Sequence, residues 1–258
     1  MPTATNRGVS LHYETDGDGP TVAFVGDVGY GAWIWGWHYD ALSGPFETLV
    51  WDLRGTGDSD APAGPYDVET LAADLEAVLA DRGVGRVHLV GAGLGGMVAL
   101  RYAHEYGRAR TLTLYCTAAS GGDVDEAALR SLSLDAGEES SLDGAFSPAF
   151  RERTSALVER ITEWRREEDA AGDAFAAQAA AMTDFDAPPL YEITQPTELY
   201  YGVEDPVVPA DAAESLAADL PRGTAAAVEG RHCCFVEHSA AVTDRLTAFL
   251  DEHADPEF

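Results

Sequence analysis

The chain is 258 residues long, enough to bury one large core together with an inserted subdomain. Its 45 acidic residues stand against 16 basic ones, every basic residue is arginine, and the formal net charge is −29. Such a surface repels nucleic acid and anionic membranes, so neither is an expected partner, and it points to a salt-adapted cytoplasm in which screening offsets the self-repulsion.

The first residues, Met1 to Arg7, carry no apolar signal segment, and no apolar run is long enough to span a bilayer, so a cytoplasmic location is expected. Val9 to Glu14 alternates as an edge strand, and Thr21 to Val25 is a fully apolar, buried one. The latter runs into the glycine-rich loop Gly26-Asp27-Val28-Gly29-Tyr30-Gly31, followed by a helix bearing Trp33, Trp35 and Trp37. Thr48 to Leu53 is the next strand, and Asp67 to Arg82 an amphipathic helix with Leu71, Leu75, Val78 and Leu79 on one face. Val87 to Val90 and Thr111 to Cys116 are further buried strands, with an apolar helix from Leu94 between them. From residue 120 to 195 the pattern turns helical, with acidic loops and an alanine-rich stretch, and no strand is expected. The strand–helix rhythm resumes with Glu198 to Gly202, a helix from Ala210 to Leu220, the strand Thr224 to Val228 and a closing helix from Ala240 to Leu250. Strands alternating with helices predict an α/β fold with a mostly parallel sheet covered on both faces.

The stretch Gly91-Ala92-Gly93-Leu94-Gly95-Gly96 opens a helix directly after a strand. It spells the dinucleotide fingerprint G-x-G-x-x-G, and also the nucleophile elbow G-x-S-x-G with glycine at the serine position. A dinucleotide site needs an acidic residue about 20 positions on to hold the ribose, and no acid lies between Glu105 and Asp123. The elbow needs an acid and then a histidine, each after a later strand, and Asp205 and His232 fall there. Dinucleotide binding is therefore the lesser alternative.

Three further segments carry a resemblance: Asp52-Leu53-Arg54-Gly55-Thr56-Gly57-Asp58-Ser59-Asp60, Gly202-Val203-Glu204-Asp205-Pro206-Val207-Val208-Pro209, and Gly230-Arg231-His232. They are similar to the D-x-R-G-x-G-x-S, acid-loop and G-x-H segments of the α/β-hydrolase family, and small capped hydrolases of the enol-lactonase and meta-cleavage type look nearest. The resemblance covers nearly the whole chain. It implies an α/β-hydrolase fold with an eight-stranded sheet and a helical cap after the sixth strand: core at 1–119 and 196–258, cap at 120–195. With the lysine-free acidic surface, it suggests a haloarchaeal protein.

The departures from the family concern its chemistry. Gly93 leaves the nucleophile position vacant, so ordinary serine acyl transfer is not expected. The residues whose backbone N–H groups would form the oxyanion site are Asp27 and Leu94, and an ionised Asp27 there would oppose a developing oxyanion. The expected catalytic residues are His232 as base, Asp205 as its partner and Asp27 as a desolvated acid. They would act on a small organic substrate or ligand held between core and cap. The alternative is a non-catalytic pseudo-hydrolase that binds a ligand or regulates. Asp52 and Arg54 are read as loop braces, and the cysteines as small buried side chains rather than substitute nucleophiles. The three form no disulfide framework or C-x-x-C pair, a zinc site from Asp27, His232 and a cysteine has no supporting spacing, and no cofactor is expected. Nothing in the sequence sets the oligomeric state.

Overall fold

The computed structural model describes residues 2–254. Eight strands form one sheet: β1 (Thr3–Asn6), β2 (Val9–Asp16), β3 (Thr21–Val25), β4 (Glu47–Trp51), β5 (Val87–Ala92), β6 (Ala109–Tyr115), β7 (Thr197–Gly202) and β8 (Gly223–Val228). Their order is β1-β2-β4-β3-β5-β6-β7-β8. β1 and β2 run antiparallel to their neighbours, and the pairs from β4 to β8 are parallel. The segment Val9 to Glu14 is therefore not the edge, because β1 pairs outside it. Its half-apolar alternation suits a strand with a neighbour on each side and one wet face.

Every residue of β3, β4 and β5 is buried, which accounts for their apolar runs. Each large aliphatic or aromatic side chain there contributes about 1.5–3 kcal/mol of burial. The helices α1 (Gly36–Leu42), α2 (Val68–Arg82) and α3 (Leu94–Glu105) follow strands of this core. Asp67 accepts from Thr70 N at the start of α2, and Gly83 ends the helix at a left-handed φ of 82°. The tryptophan segment is a 3-10 turn over Ala32–Trp35 leading into α1, with Trp33 and Trp35 buried.

Between β6 and β7 lie α4 (Glu126–Ser131), α5 (Glu138–Ala145), α6 (Pro148–Arg153), α7 (Ser155–Glu168) and α8 (Gly172–Thr183). After β7 come α9 (Ala210–Asp219), then, beyond β8, the short α10 (Cys234–Glu237) and α11 (Ser239–His253), which packs on α1. The C-terminal ends of β3, β5, β7 and β8 all point to one rim, where the loops carrying Asp27, Gly93, Asp205 and His232 emerge. Tight approaches set the elbow glycines. A Cβ on Gly91 would stand 2.4 Å from Gly95 O, one on Gly95 2.2 Å from Val25 O, and one on Gly96 1.9 Å from Thr117 Oγ1. Helix-to-strand packing thus accounts for this run without a bound phosphate.

Candidate active site

At the β5–α3 elbow Gly93 sits at φ 47°, ψ −112°, a conformation that favours glycine. With no side chain at 93 to cap it, α3 takes its acceptor from another loop. Asp27, two residues beyond β3, turns its carboxylate onto the helix start: Leu94 N donates to Oδ1 at 2.9 Å and Val28 N to the same oxygen at 2.6 Å. An anion at a helix N-terminus is favoured by the exposed N–H groups and the helix dipole. A Cβ built on Gly93 would lie 1.9 Å from that Oδ1. The carboxylate of Asp27 therefore occupies the space that a side chain on residue 93 would need. A dinucleotide pyrophosphate at this N-terminus would meet the same carboxylate.

His232 Nε2 donates to Asp27 Oδ2 at 2.8 Å, and Nδ1 donates to Asp205 at 3.0 and 2.9 Å. Asp205 Oδ1 also accepts from Val207 N at 2.8 Å and Val208 N at 3.2 Å. Asp27, His232 and Asp205 thus form one relay, with their side chains essentially inaccessible to solvent. Burial alone would lower the pKa of His232, but the charges of Asp205 and Asp27 and their hydrogen bonds overcome it and hold the imidazolium well above its ordinary range. Two carboxylate acceptors call for a proton on each ring nitrogen. His232 is thus a proton-holding group at rest, where a free base was expected. Asp27, expected as the acid, has Oδ1 held by Val28 N and Leu94 N and Oδ2 against His232 Nε2.

The insertion closes over the relay. Gln178 of α8 accepts from Gly29 N at 2.7 Å and donates to Arg54 O at 2.9 Å, and Ala170 N donates to Gly29 O at 2.7 Å. Arg165 of α7, 2 % exposed, lies over the Tyr30 ring at 5.0 Å and donates to Asp169, Ser141 Oγ and Leu132 O. On the histidine side, Cys233 N donates to Ala145 O, while Glu237 accepts from both Ser147 N and Arg231 N at 2.9 Å. Asp27 and His232 are each 1 % exposed, so the four expected residues converge without an open pocket above them. Open clefts lie elsewhere: one of about 420 Å³ is lined by His12, Glu14, Trp33, Asp52 and Glu168, another of about 490 Å³ by Leu129, Phe175 and Ala179.

The cysteines are buried. The partner thiol of Cys234, at 3.7 Å, and then burial push the thiol of Cys116 up, and burial does the same to Cys233, so neither is poised as a thiolate. Among the described residues, Cys116, Asp205 and His232 offer ligand atoms within 4.8 Å of one another, a trio that could hold a metal and that does not include Asp27. In this arrangement Nδ1 of His232 is engaged by Asp205. Arg54 forms a buried bidentate pair with Asp74 at 2.6 Å, and Asp52 accepts from Asp58 N at 3.1 Å, so both brace loops. Sequence reasoning missed Arg165, Gln178, Tyr30 and Glu237. The only available signal was the i,i+4 spacing of Arg165 and Asp169, which many surface helices share.

The sequence profile of the alpha/beta hydrolase family matches residues 24–245. A 3-oxoadipate enol-lactonase 2 of Acinetobacter baylyi is 25 % identical over 256 residues, 96 % of each chain. Among solved structures, a hydrolase from Pseudomonas aeruginosa aligns with TM-score 0.85 and 31 % identity over 96 % of both chains. An enol-lactonase from Burkholderia xenovorans aligns with TM-score 0.88 and 24 % identity over 97 % of this chain and 100 % of that one.

Proposed function

This chain belongs to the alpha/beta hydrolase family, and on that premise we propose that it hydrolyses a small organic molecule through the Asp27–His232–Asp205 relay, without a serine nucleophile. One observation carries this reading: the carboxylate of Asp27 fills the space of the missing side chain at 93, touches Leu94 N and meets His232 Nε2 at 2.8 Å. A buried group of three ionisable side chains is a poor way to stabilise a fold, since apolar residues of similar volume do as well or better. Its presence with a donor at every carboxylate oxygen supports a chemical role. The substrate enters between the sheet rim and the helical cap when the contacts of Gln178, Ala170 and Ala145 to the loops part. In the salt-adapted cytoplasm inferred from the charge, the partner is this small molecule and no cofactor is needed.

The test is a screen of purified protein in molar potassium chloride against small esters, lactones, epoxides and alkyl halides, read by product formation. Turnover is expected to fall about a hundredfold or more in Asp27→Asn and His232→Ala, and to weaken in Asp205→Asn. Equal rates in wild type and His232→Ala overturn the reading. The burial of Asp27 and His232 at 1 % exposure favours a second reading, a binding protein in which the relay caps α3 and ties loops together. Ligand-induced stabilisation that persists in all three variants, without turnover, supports that alternative.

A further inference from the structure

We infer that Cys116, Cys234, His232 and Asp205 form a zinc site, with Asp27 as its outer partner. The inference stands whether or not the relay turns over a substrate. Three adjacent strands deliver the donors to one point: Cys116 directly follows β6, Asp205 stands three residues beyond β7, and His232 four residues beyond β8. Ligand atoms of these three lie within 4.8 Å of one another. Cys234, the first residue of α10, brings a second sulfur 3.7 Å from that of Cys116. Zinc–sulfur bonds of about 2.3 Å set two sulfurs of a tetrahedral centre about 3.8 Å apart, so the two thiols already stand at that spacing. The ion takes the place of the proton between His232 Nδ1 and Asp205 Oδ2, which are 2.9 Å apart without it.

The donor set selects the metal. Thiolate and imidazole suit zinc, whereas calcium and magnesium take shells of oxygen. The groups around the donors are arranged as an outer shell. A metal-bound histidine characteristically donates its other ring N–H to a carboxylate, which fixes the tautomer. Here Nε2 of His232 donates to Asp27 Oδ2 at 2.8 Å, which leaves Nδ1 for the ion. Asp27 is itself fixed by Val28 N and Leu94 N. Asp205 Oδ1 is held in the same way by Val207 N and Val208 N, so Oδ2 is the oxygen that bonds the metal.

On binding, the Nδ1 proton of His232 and the thiol protons of Cys116 and Cys234 pass to solvent. Zinc gains one bond to nitrogen, two to sulfur and one to oxygen. A centre of two thiolates, one imidazole and one carboxylate carries the same formal charge as the three-cysteine, one-histidine structural sites. His232 keeps a single proton, on Nε2, so zinc turns the resting imidazolium into a neutral imidazole pinned at both nitrogens. The route in is short, because Asp205 lies among the exposed Val203, Glu204 and Pro206. The net charge of −29 draws cations to that surface.

The experiment titrates the full chain, kept reduced with a phosphine, with cobalt chloride and then zinc chloride. Excess magnesium chloride occupies the surface carboxylates. One equivalent of cobalt should give the intense visible bands of a tetrahedral ion and a near-ultraviolet thiolate-to-cobalt band, and one equivalent of zinc should remove both. Cys116→Ala and Cys234→Ala should each weaken zinc binding by more than the roughly 10–100-fold that loss of an outer partner costs. Cys233→Ala, outside the donor set, should match wild type. Asp27→Asn turns an amide NH2 towards Nε2, which draws the ring proton to Nδ1, the metal's place. It should weaken zinc about tenfold while the thiolate band remains. The wild-type spectra stand alone if a variant does not fold. Weak octahedral bands without a thiolate band, equal zinc affinity in wild type and a folded Cys116→Ala, or loss of the thiolate band in a folded Cys233→Ala overturns the inference.

Discussion

Two groups of carboxylates in this protein meet opposite fates. In the relay, Asp27 and Asp205 are buried, yet each oxygen faces an N–H: Val28, Leu94, Val207, Val208 or a nitrogen of His232. In the cleft of about 420 Å³ between the Trp33 turn and α7, Glu14, Asp52, Asp58, Glu167 and Glu168 gather around one opening. Glu168 is only half buried, but its burial, opposed by the N–H of Trp33 and aided by Asp52, Asp169 and Glu167, pushes its carboxyl up to about 7. Burial raises Asp52 as well, against the N–H of Asp58 and the charge of His12. The relay carboxylates meet a donor at every oxygen, whereas Glu168 and Asp52 in the cleft each lean on a backbone N–H group. In the relay the donors hold an ion cluster together, and in the cleft their scarcity favours protonation.

The largest test of this contrast is His232→Ala. It leaves Asp27 and Asp205 buried without their shared cation, and breaking such a pair costs about 3–5 kcal/mol, measurable by urea denaturation at pH 7. A loss below 1 kcal/mol, about the value of an exposed pair, would put the relay in the same class as the cleft. The pH profile has a definite sign. The folded pKa of His232 is raised, so its contribution is fully present below the unfolded value near 6.5 and fades only as pH rises through the much higher folded value. Wild-type stability should therefore fall on the alkaline side, and His232→Ala should lack that component.

The next effect concerns the space at the elbow. Gly93→Ser adds a Cβ 1.9 Å from Asp27 Oδ1 at a φ of 47°, so it should destabilise by about 1–3 kcal/mol from backbone strain alone, plus the clash. Gly93→Ser with Asp27→Gly removes the obstacle and frees Leu94 N, giving a serine beside His232. Wild type should not react with a fluorophosphonate, Gly93→Ser should react poorly, and the double variant should label at Ser. Equal labelling of single and double variants would mean that Asp27 does not occupy the elbow.

Much of this arrangement was legible in the sequence, and the limits have a physical cause. Gly93, Asp205 and His232 follow strand ends, so the strand rhythm alone brings them to one rim. Asp67 and Gly83 mark the ends of α2 through local caps, which need no tertiary knowledge. The direction of the Asp27 side chain was not legible, because it depends on the space left by a glycine 66 positions later, joined through a contact to Leu94 at a separation of 67. Gln178 meets Gly29 across 149 residues, and no periodicity encodes that meeting. Arg165 looks like a solvated charge in an Arg/Glu-rich helix, and becomes a buried one only because Ser141, Leu132 and Asp169 surround it.

Salt separates the two groups further. At 0.1 M salt, interactions between exposed charges more than about 10 Å apart are largely screened, and buried pairs are screened much less. The 45 acidic residues should make the melting temperature rise from low to molar potassium chloride, while the cost of His232→Ala stays constant across that range. A flat or falling melting temperature would remove the salt-adaptation argument, and a salt-dependent cost at His232 would mean that water reaches the relay.

The smallest expected effect is at Glu168, and its sign is opposite to that of an ordinary stabilising carboxylate. The folded pKa, about 7, lies above the unfolded value of 4.5, so between these values the folded chain binds the proton more tightly. Folding is favoured below 4.5, and that advantage is lost as pH rises towards and through 7. Because the group is half exposed, solvent screening reduces the effect to a minor slope in the stability curve. Glu168→Gln keeps an acceptor for Trp33 N, which now donates to Oε2 at 3.1 Å, and removes the titration. The variant should therefore match wild type near pH 4.5, equal or exceed it at pH 8, and show less fall between, as read by urea midpoints across the range. High salt should shrink the difference by screening Asp52, Asp169 and Glu167. A variant that is less stable than wild type at pH 8 would mean that the ionised Glu168 is a net support of the Trp33 turn, and the cleft would then be as well matched in donors as the relay.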